Sequence, residues 1–443
     1  MKAFQLPMMA SVLACTLYAI SPSAYAQEDL PEEPPRSGKK KTSLKPKKKT
    51  GFFFEKSGFG LRSDDGINEV RIGGFAQTGW KSQGGSRQDS TVETDAQHRA
   101  LLTIDGKFGK VYGFRIAPSF ANTVGILDAY VNANFTEFFK VSLGKLKVPF
   151  GLERIQSATA LAFNGRAFPS DLVPNRDIGI QIFGNMSGGA TEYQIGAFNG
   201  AVDNDAALRH GGFDINNNGI DFVGRIFSHP FRNGGLDILK DFGLGVAYSQ
   251  GLQESNETAG NANLPAFHTP GQHIFASYVG GAFANGVRER ISPQFHYYNG
   301  RLGVIGEYVL SRQEITLGTA THKVNNDAFQ IQSSWFVTND NATFRRMTPR
   351  NPFNWSAKTW GAVELVARYA ELNIDHDAFT AGFFNPSTSA RKAKDIGVGI
   401  NWHLNRHIKL QLNYHHTTFE HGAADGADRP DEKVLFSRLQ IAF

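Results

Sequence analysis

The sequence predicts an all-β fold, a transmembrane antiparallel β-barrel of about 16 strands. Three observations support this class. Apolar and polar residues alternate in segments of about ten residues along most of the chain. The last ten residues, VLFSRLQIAF, show the same alternation. The connections between the segments are alternately long loops and tight turns.

The alternation has the period of a β-strand with one apolar face. In IKLQLNYHH, for example, Leu410 and Leu412 alternate with Lys409 and Gln411. The mean hydropathy of −0.31 excludes a bundle of membrane helices. It fits a barrel, because only every second residue of a barrel strand faces lipid. A soluble protein with half-buried strands would need several sandwiches, and no linkers divide the chain into them.

The C-terminal stretch predicts the closing strand of the barrel. Leu439, Ile441 and Phe443 share one face, and Arg438 and Gln440 share the other. A strand between lipid and a wet interior has this pattern. We expect Phe443 to lie at the periplasmic end, within reach of the barrel-assembly machinery.

The connections give the direction of the strands. Seventeen segments qualify as strands, but single-chain barrels use an even number. If the tight turn at 299–300 is periplasmic, the candidate QHIFASYVG (272–280) falls within an outer loop and sixteen strands remain. The stretch 339–358 is basic and aromatic, and it is long although it falls on the side of the short turns. The sequence does not explain a long connection on that side. The expected short turns are 109–110, 136–137, 187–189, 299–300 and 405–406, and the expected long loops are 81–96, 149–176, 200–219, 252–288, 313–324, 373–393 and 420–431.

The first 26 residues are typical of an export signal. Lys2 precedes an apolar stretch too short to span a bilayer, and Ala24 and Ala26 form an A-x-A cleavage site. A lipoprotein signal ending at Cys15 is the alternative. Removal of 1–26 would delete the only cysteine, so the mature chain would need no disulfide chemistry.

The chain then divides into a linker, 27–56, and a barrel, 57–443. Proline and lysine dominate the linker, which has little apolar surface to bury and is expected to be an extended periplasmic arm. The barrel itself carries 36 Lys and Arg against 36 Asp and Glu. The high isoelectric point therefore comes mainly from the linker and says nothing direct about ion selectivity.

Several stretches together resemble the phosphate-selective porin O/P family of Gram-negative outer membranes. The resemblance implies a sixteen-stranded barrel, usually a homotrimer, that passes anions, with an inward-folded third loop after the KVPFG strand. It also implies outer-membrane lipid and small anions as partners. The stretches are AQHRALLTIDGKFGK, ILDAYVNANF, VSLGKLKVPFGLERIQS, PNRDIGIQIFG, DFVGRIFSHPF, PQFHYYNGRLGVIGEYVLS, WGAVELVARYAELNI, IGVGINWHLN and RLQIAF.

Cations on the polar strand faces are candidates for the anion pathway, because a pore selects ions by where its charges stand. Arg99 and Arg115 lie mid-strand on that face, either solvated or paired with acids. Lys145 and Lys147 end their strand in phase with Leu143, so a bulge near Gly144 would be needed to turn them inward.

The remaining candidates lie in the loop 149–176. Arg154, Arg166 and Arg176 are its cations, and the resemblance points to Arg166 in FNGRAF as the constriction arginine. Ser157 is the candidate serine beside them. The loop lacks the run of serines found in phosphate-specific members, which weakens the case for phosphate more than the case for anions.

The sequence thus favours an outer-membrane porin for passive diffusion of anions such as phosphate or polyphosphate-like solutes. A non-specific porin, a barrel enzyme and an envelope-anchoring barrel are the alternatives. We expect no catalytic residues, metal, cofactor or nucleic-acid partner, since the enzymatic and metal motifs are missing from the body. The stretch DINNNGID (214–221) begins like a calcium loop, but Arg225 stands where such a loop needs Glu.

Overall fold

The computed structural model describes residues 51–55, 58–84, 93–120, 124–201, 219–255 and 262–443. The expected signal segment, and the expected linker as far as residue 50, lie outside these ranges. Among the described residues, no helix is long and apolar enough to cross a membrane.

Within the described ranges, twenty strands and two short α-helices make up most of the regular structure. The helices are α1 (Leu152–Ile155) and α2 (His376–Thr380). The strands are β1 (Gly51–Glu55), β2 (Gly58–Arg62), β3 (Glu69–Gly84), β4 (Glu93–Phe108), β5 (Tyr112–Ser119), β6 (Gly125–Asn134), β7 (Lys140–Lys147), β8 (Arg176–Met186), β9 (Thr191–Phe198), β10 (Asp221–Ser228), β11 (Phe242–Glu254), β12 (Ala266–His268), β13 (Ile274–Ser277), β14 (Ala282–Asn299), β15 (Leu302–Leu317), β16 (Ala320–Phe336), β17 (Ala362–Asn373), β18 (Ala390–His403), β19 (Ile408–His421) and β20 (Glu432–Ala442).

Sixteen of these strands form a closed antiparallel barrel. From β3 to β11 and from β14 to β20 each strand pairs with the next, and β11 pairs with β14. The first and last strands pair from Phe75 opposite Ala442 to Gly84 opposite Lys433, which closes the barrel. The predicted fold class and the closing role of the C-terminal stretch are confirmed.

The small sheet of β12 and β13 lies in the loop between β11 and β14. This confirms that the segment 272–280 belongs to an outer loop rather than to the barrel wall. The expected long loop at 313–324 is wrong, because β15 and β16 pair as far as Leu317 opposite Ala320, with Gly318 and Thr319 between them. A positive φ of 61° at Gly318 suits so tight a turn. Many of the strand residues on either side of it are polar, and polar residues are also typical of loops, which is why the sequence pattern predicts a loop here.

The alternation read from the sequence corresponds to two faces of the wall. In β19, Lys409, Gln411 and Asn413 are buried inside the barrel, whereas Leu412 and Tyr414 are exposed on the outside. This is the reverse of a soluble protein, because the outer face meets lipid and the interior holds polar side chains.

A hairpin of β1 and β2 precedes the barrel. Its first strand, β1, lies within the expected linker 27–56, which was predicted to have no regular structure. β2 pairs with the start of β3, from Phe59 opposite Ile72 to Arg62 opposite Glu69. Glycine is required for this approach, since a Cβ at Gly60 would lie 2.0 Å from the Val70 carbonyl oxygen. Three consecutive phenylalanines supply strand propensity that the lysine-rich composition of the linker concealed.

The connection 337–361 between β16 and β17 is long although it lies at the end of the barrel where the tight turns lie, called here the turn end. Part of it folds into the barrel mouth, where Ala342 and Met347 are buried with Phe336. Phe344 packs beside Leu152 and Phe227. The stretch 339–358, unexplained from the sequence, therefore closes part of the turn end. The connection 229–241 is a second longer one at this end, which the sequence reading missed.

Candidate functional site

The third loop, residues 148–175 between β7 and β8, lies inside the barrel and is called here the inward loop. It leaves the wall because its apolar residues have an interior core to join. Phe150 and Val173 are fully buried, and Phe168 meets Phe275 of the outer loop with ring centroids 5.8 Å apart. The expected inward folding of this loop is confirmed.

Polar side chains of the wall hold the backbone of the inward loop. The Glu307 carboxylate accepts hydrogen bonds from the backbone N–H groups of Leu152, at 2.6 Å, and Glu153, at 3.2 Å, and so caps α1. Further attachments follow the wall from β14 round to β3: Gln294 to the Phe150 carbonyl, Arg368 to Gly165, Asn401 to Ala162, Lys409 to Thr159 and Leu161, Gln440 to Thr159, and Gln77 to Ala158. The loop therefore lines that side of the interior and leaves the passage beside β4 to β8.

Acidic groups concentrate between the inward loop and the wall that holds it. Glu153 is 1% exposed and accepts a hydrogen bond from the Ala167 N–H at 2.8 Å. Arg368 lies 3.7 Å from Glu153 and 3.7 Å from Asp395, and His415 contacts Asp395 at 3.0 Å. These acids are matched by neighbouring cations and donors, so their charge is largely compensated away from the passage.

Arg166 is half-buried and lies on the passage side of the inward loop. Its guanidinium donates to the carbonyl oxygens of Glu153 and Gln156, each at 3.1 Å. Burial lowers the pKa of Arg166 well below its ordinary value, and the nearby cations Arg154, Arg99 and Arg176 lower it further. An arginine keeps its proton in proteins, so Arg166 remains a cation that is partly removed from water and lies near other cations.

Arg154, Arg176 and Lys147 fix the base of the inward loop. Arg176 forms an ion pair with Asp128 at 2.6 Å, and Lys147 donates to the carbonyl oxygens of residues 155 and 156 at 3.1 and 2.9 Å. Arg154 donates to the Ser170 carbonyl oxygen and is 7% exposed. These three predicted site residues are therefore structural as well as cationic.

Arg99 faces Arg166 from the wall, and the structure adds Arg438, which was not among the predicted site residues. On either side of β3, Arg99 pairs opposite Gln77 and Arg438 opposite Gly79. Arg438 is 8% exposed and lies within electrostatic reach of Arg99. Within the ranges that the structure describes, neither guanidinium has a hydrogen bond or an ion pair.

The other predicted site residues, Arg115 and Ser157, already have partners within the protein. Arg115 is paired with Asp105 at 2.6 Å. Ser157 bonds the Thr159 hydroxyl at 2.9 Å.

The expected bulge near Gly144 is not found. Gly144 has a φ of 131°, but Leu143 and Lys145 stay in unbroken register with β6 and β8.

The calcium-like stretch falls mostly outside the described residues. Its last residue, Asp221, lies in β10 and accepts hydrogen bonds from Arg288 at 2.9 Å and Arg290 at 3.1 Å. Arg225 donates to Gln294. Asp221 thus serves as the counterion of two buried arginines.

A closed barrel of sixteen antiparallel strands, apolar outside and narrowed inside by an inward loop lined with cations, defines an outer-membrane porin. The chain belongs to the phosphate-selective porin O and P family, whose sequence model matches residues 83–443. The family and the fold place the protein in the outer membrane and point to a channel rather than an enzyme. The outer-membrane channel DcaP of Acinetobacter baumannii is similar, with a TM-score of 0.56 and 11% identity over 87% of this chain and 99% of that one.

Two further solved structures are similar in fold. OprB of Pseudomonas putida has a TM-score of 0.53 and 10% identity over 84% of this chain and 94% of that one. OmpT of Vibrio cholerae has a TM-score of 0.50 and 10% identity over 85% and 98%. No curated protein matches the sequence.

Proposed function

We propose that the porin conducts anions by passive diffusion and prefers phosphate or polyphosphate-like solutes. The observation that carries this proposal is the placement of Arg99 and Arg438. The guanidinium groups of half-buried Arg99 and buried Arg438 repel one another, and no acid among the described residues forms an ion pair with either. A passing anion supplies the missing counterion.

Arg166 completes the proposed pathway from the other side. Its two backbone hydrogen bonds hold the guanidinium in place without neutralising its charge. Arginine can bind two phosphate oxygens at once, whereas chloride offers a single point of contact. Several weak sites in series also suit conduction, since an ion must leave each site as readily as it enters. No catalytic role is part of this proposal.

The barrel wall supports a homotrimer. β5, β7, β9 and β10 have 8 residues each, whereas β14 has 18. Eight residues at ~3.3 Å each, tilted by ~45°, rise about 19 Å, less than the ~25 Å apolar band of an outer-membrane barrel. We propose that this short wall is covered by neighbouring protomers, and the mass of the protein in mild detergent checks it.

Reversal potentials in planar bilayers test the anion pathway. The wild-type channel should be anion-selective, and phosphate should block its chloride current. Arg166→Glu should lower the anion-over-cation permeability ratio by at least about tenfold, because the reversal changes the charge by two units and each unit charge at 4 Å is worth ~1 kcal/mol even in bulk water. Arg438→Gln should weaken the phosphate block with a smaller change in selectivity.

Lys358→Glu is the matched control, since Lys358 is exposed on the connection 337–361 and its reversal should change neither property. If Arg166→Glu and Arg438→Gln both behave like the wild type, the selectivity site lies elsewhere. An anion-selective channel without phosphate block would instead favour a non-specific porin.

A further inference from the structure

The hairpin of β1 and β2 has two chemically different faces. One carries Phe52, Phe54, Phe59 and Leu61; Phe52, Phe54 and Leu61 are 68%, 51% and 62% exposed. Phe59 stacks on Phe54, with ring centroids 6.3 Å apart. This face is called here the aromatic face.

The opposite face is polar and internally paired. Arg62 forms an ion pair with Glu69 at 2.6 Å, and Arg71 forms a second with the same carboxylate at 2.7 Å. The Arg62 guanidinium also lies 4.3 Å from the centroid of the Phe53 ring. The polar face thus pairs its charges internally, whereas three of the four apolar side chains of the aromatic face are more than half exposed.

The aromatic face continues the lipid-facing surface of the barrel. Phe59 pairs with Ile72, Ile72 with Ile104, and Ile104 with Ile116, which is 40% exposed on the outer wall. Side chains in such a row point to the same side of the sheet. The aromatic face therefore points where the outer wall points.

The hairpin also lies next to the end of the last strand, along the same edge of β3. Phe443 exchanges two backbone hydrogen bonds with Gly74, at 2.9 and 3.0 Å, and β20 ends there. β2 takes over the pairing with β3 at residue 72, and Phe59 stacks on Phe443 with ring centroids 6.4 Å apart. At the seam between the first and last strands, the hairpin therefore extends the wall beyond the point where β20 ends.

We propose that the aromatic face of this hairpin binds the phospholipid of the periplasmic leaflet, at the level of the headgroup boundary. The edge strand β1 fixes that depth. Within the part of the chain that the structure describes, it pairs only with β2, so the backbone groups of its other edge need water or headgroups and cannot lie in hydrocarbon. An apolar aromatic face opposite a face with arginines is the pattern of interfacial membrane elements.

The depth of a fluorophore attached to the aromatic face tests the proposal. The gene encodes Leu61→Cys together with Cys15→Ser, so that the introduced cysteine is the only thiol whether or not residues 1–26 are removed. The purified protein is labelled there with an environment-sensitive dye and reconstituted into phosphatidylethanolamine–phosphatidylglycerol vesicles. Lipids brominated near the headgroup should quench about half of the dye emission, because an interfacial group lies within ~5–10 Å of the headgroup boundary. Lipids brominated near the chain ends should quench less.

Thr319→Cys is the matched control, since Thr319 is exposed at the tip of the β15–β16 turn, and neither lipid should quench it. Phe52→Cys provides a second labelling site on the same face if Leu61→Cys fails to fold. Quenching by aqueous iodide instead of brominated lipid would overturn the proposal. Disulfide-linked dimers between copies of the Leu61→Cys protein before labelling would overturn it as well, in favour of a second copy as the occupant. Neither result depends on which ions the pore conducts.

Discussion

At the scale of single residues, charge alone does not identify the pathway. Arg115 and Arg176 lie on the interior wall, but carboxylates at 2.6 Å neutralise both. Among the described residues, Arg99, Arg166 and Arg438 form no ion pair with a carboxylate. The distinction between a structural and a conducting arginine therefore rests on its partners, which a sequence does not state.

A histidine pair at the turn end makes the stability of the barrel depend on pH. His229, just after β10, shares a hydrogen bond with His296 at 2.9 Å between their Nε2 atoms. Burial, with a smaller contribution from the charges of Arg232 and Arg225, lowers the pKa of His229 to about 4. The other neighbours, Phe227 and Phe344, carry no charge.

Since the pKa of His229 is lower in the folded protein than the ordinary value of 6.5, its contribution to stability is fully present above pH 6.5 and is lost as the pH falls towards 4. The temperature at which the folded band disappears in heat-modifiability gels should fall over this range. His229→Gln, which cannot take up a proton, should show a shallower decline. Equal declines in both proteins would mean that this pair does not control the effect.

At the scale of elements, the inward loop depends on the wall as much as on its own sequence. Its N-terminal turn α1 is only four residues long, too short to be stable alone. The Glu307 carboxylate on β15 satisfies two of its backbone donors. From the turn end, the Phe344 carbonyl oxygen accepts a hydrogen bond from Gln156 at 2.8 Å. The loop is thus held between the wall and the connection 337–361.

Glu307→Ala should loosen the inward loop. It leaves two buried N–H groups without an acceptor, at a cost of about 1–3 kcal/mol each. We expect single-channel recordings to show larger and noisier conductance. Glu307→Gln keeps one acceptor and should behave closer to the wild type. An unchanged conductance in Glu307→Ala would show that the other attachments hold the loop without it.

At the scale of the whole molecule, closure of the barrel depends on the meeting of the two ends of the sheet. β20 pairs with β3 along ten residue pairs, from Lys433 to Ala442. Phe443 adds its backbone pair with Gly74 and its stacking on Phe59. Residues 433–443 therefore form the wall at the seam where the barrel closes.

Deletion of Phe443 should reduce the amount of folded, heat-modifiable barrel in cell membranes. We propose that the assembly machinery recognises this terminal residue, so the loss in cells should exceed the loss when the purified protein refolds in detergent. Phe443→Tyr keeps an aromatic end and serves as the control. Normal levels of the deletion variant in membranes would refute the role of Phe443, and equal losses in both settings would assign it to stability alone.

The sequence by itself determined the wall of this protein. The period-two alternation depends on neighbouring residues, so strands such as β19 and β20 and the interior position of Arg99 could be read directly. The inward loop and Arg166 came from family resemblance. Local patterns failed where turn chemistry was ambiguous, as at 313–324, and where a glycine suggested a bulge that the ladder does not form, as at Lys145.

The tertiary structure alone decided which charged side chains of the described residues form ion pairs and which do not. Arg438 approaches Arg99 only because the last strand closes on the first, across more than three hundred residues of chain. Glu153 and Arg368 meet only because the inward loop crosses to the far wall. The connection 337–361 folds inward only because Leu152 and Tyr298 offer an apolar surface at the turn end. Such contacts depend on barrel closure and loop packing over long separations, and no local pattern of residues encodes them.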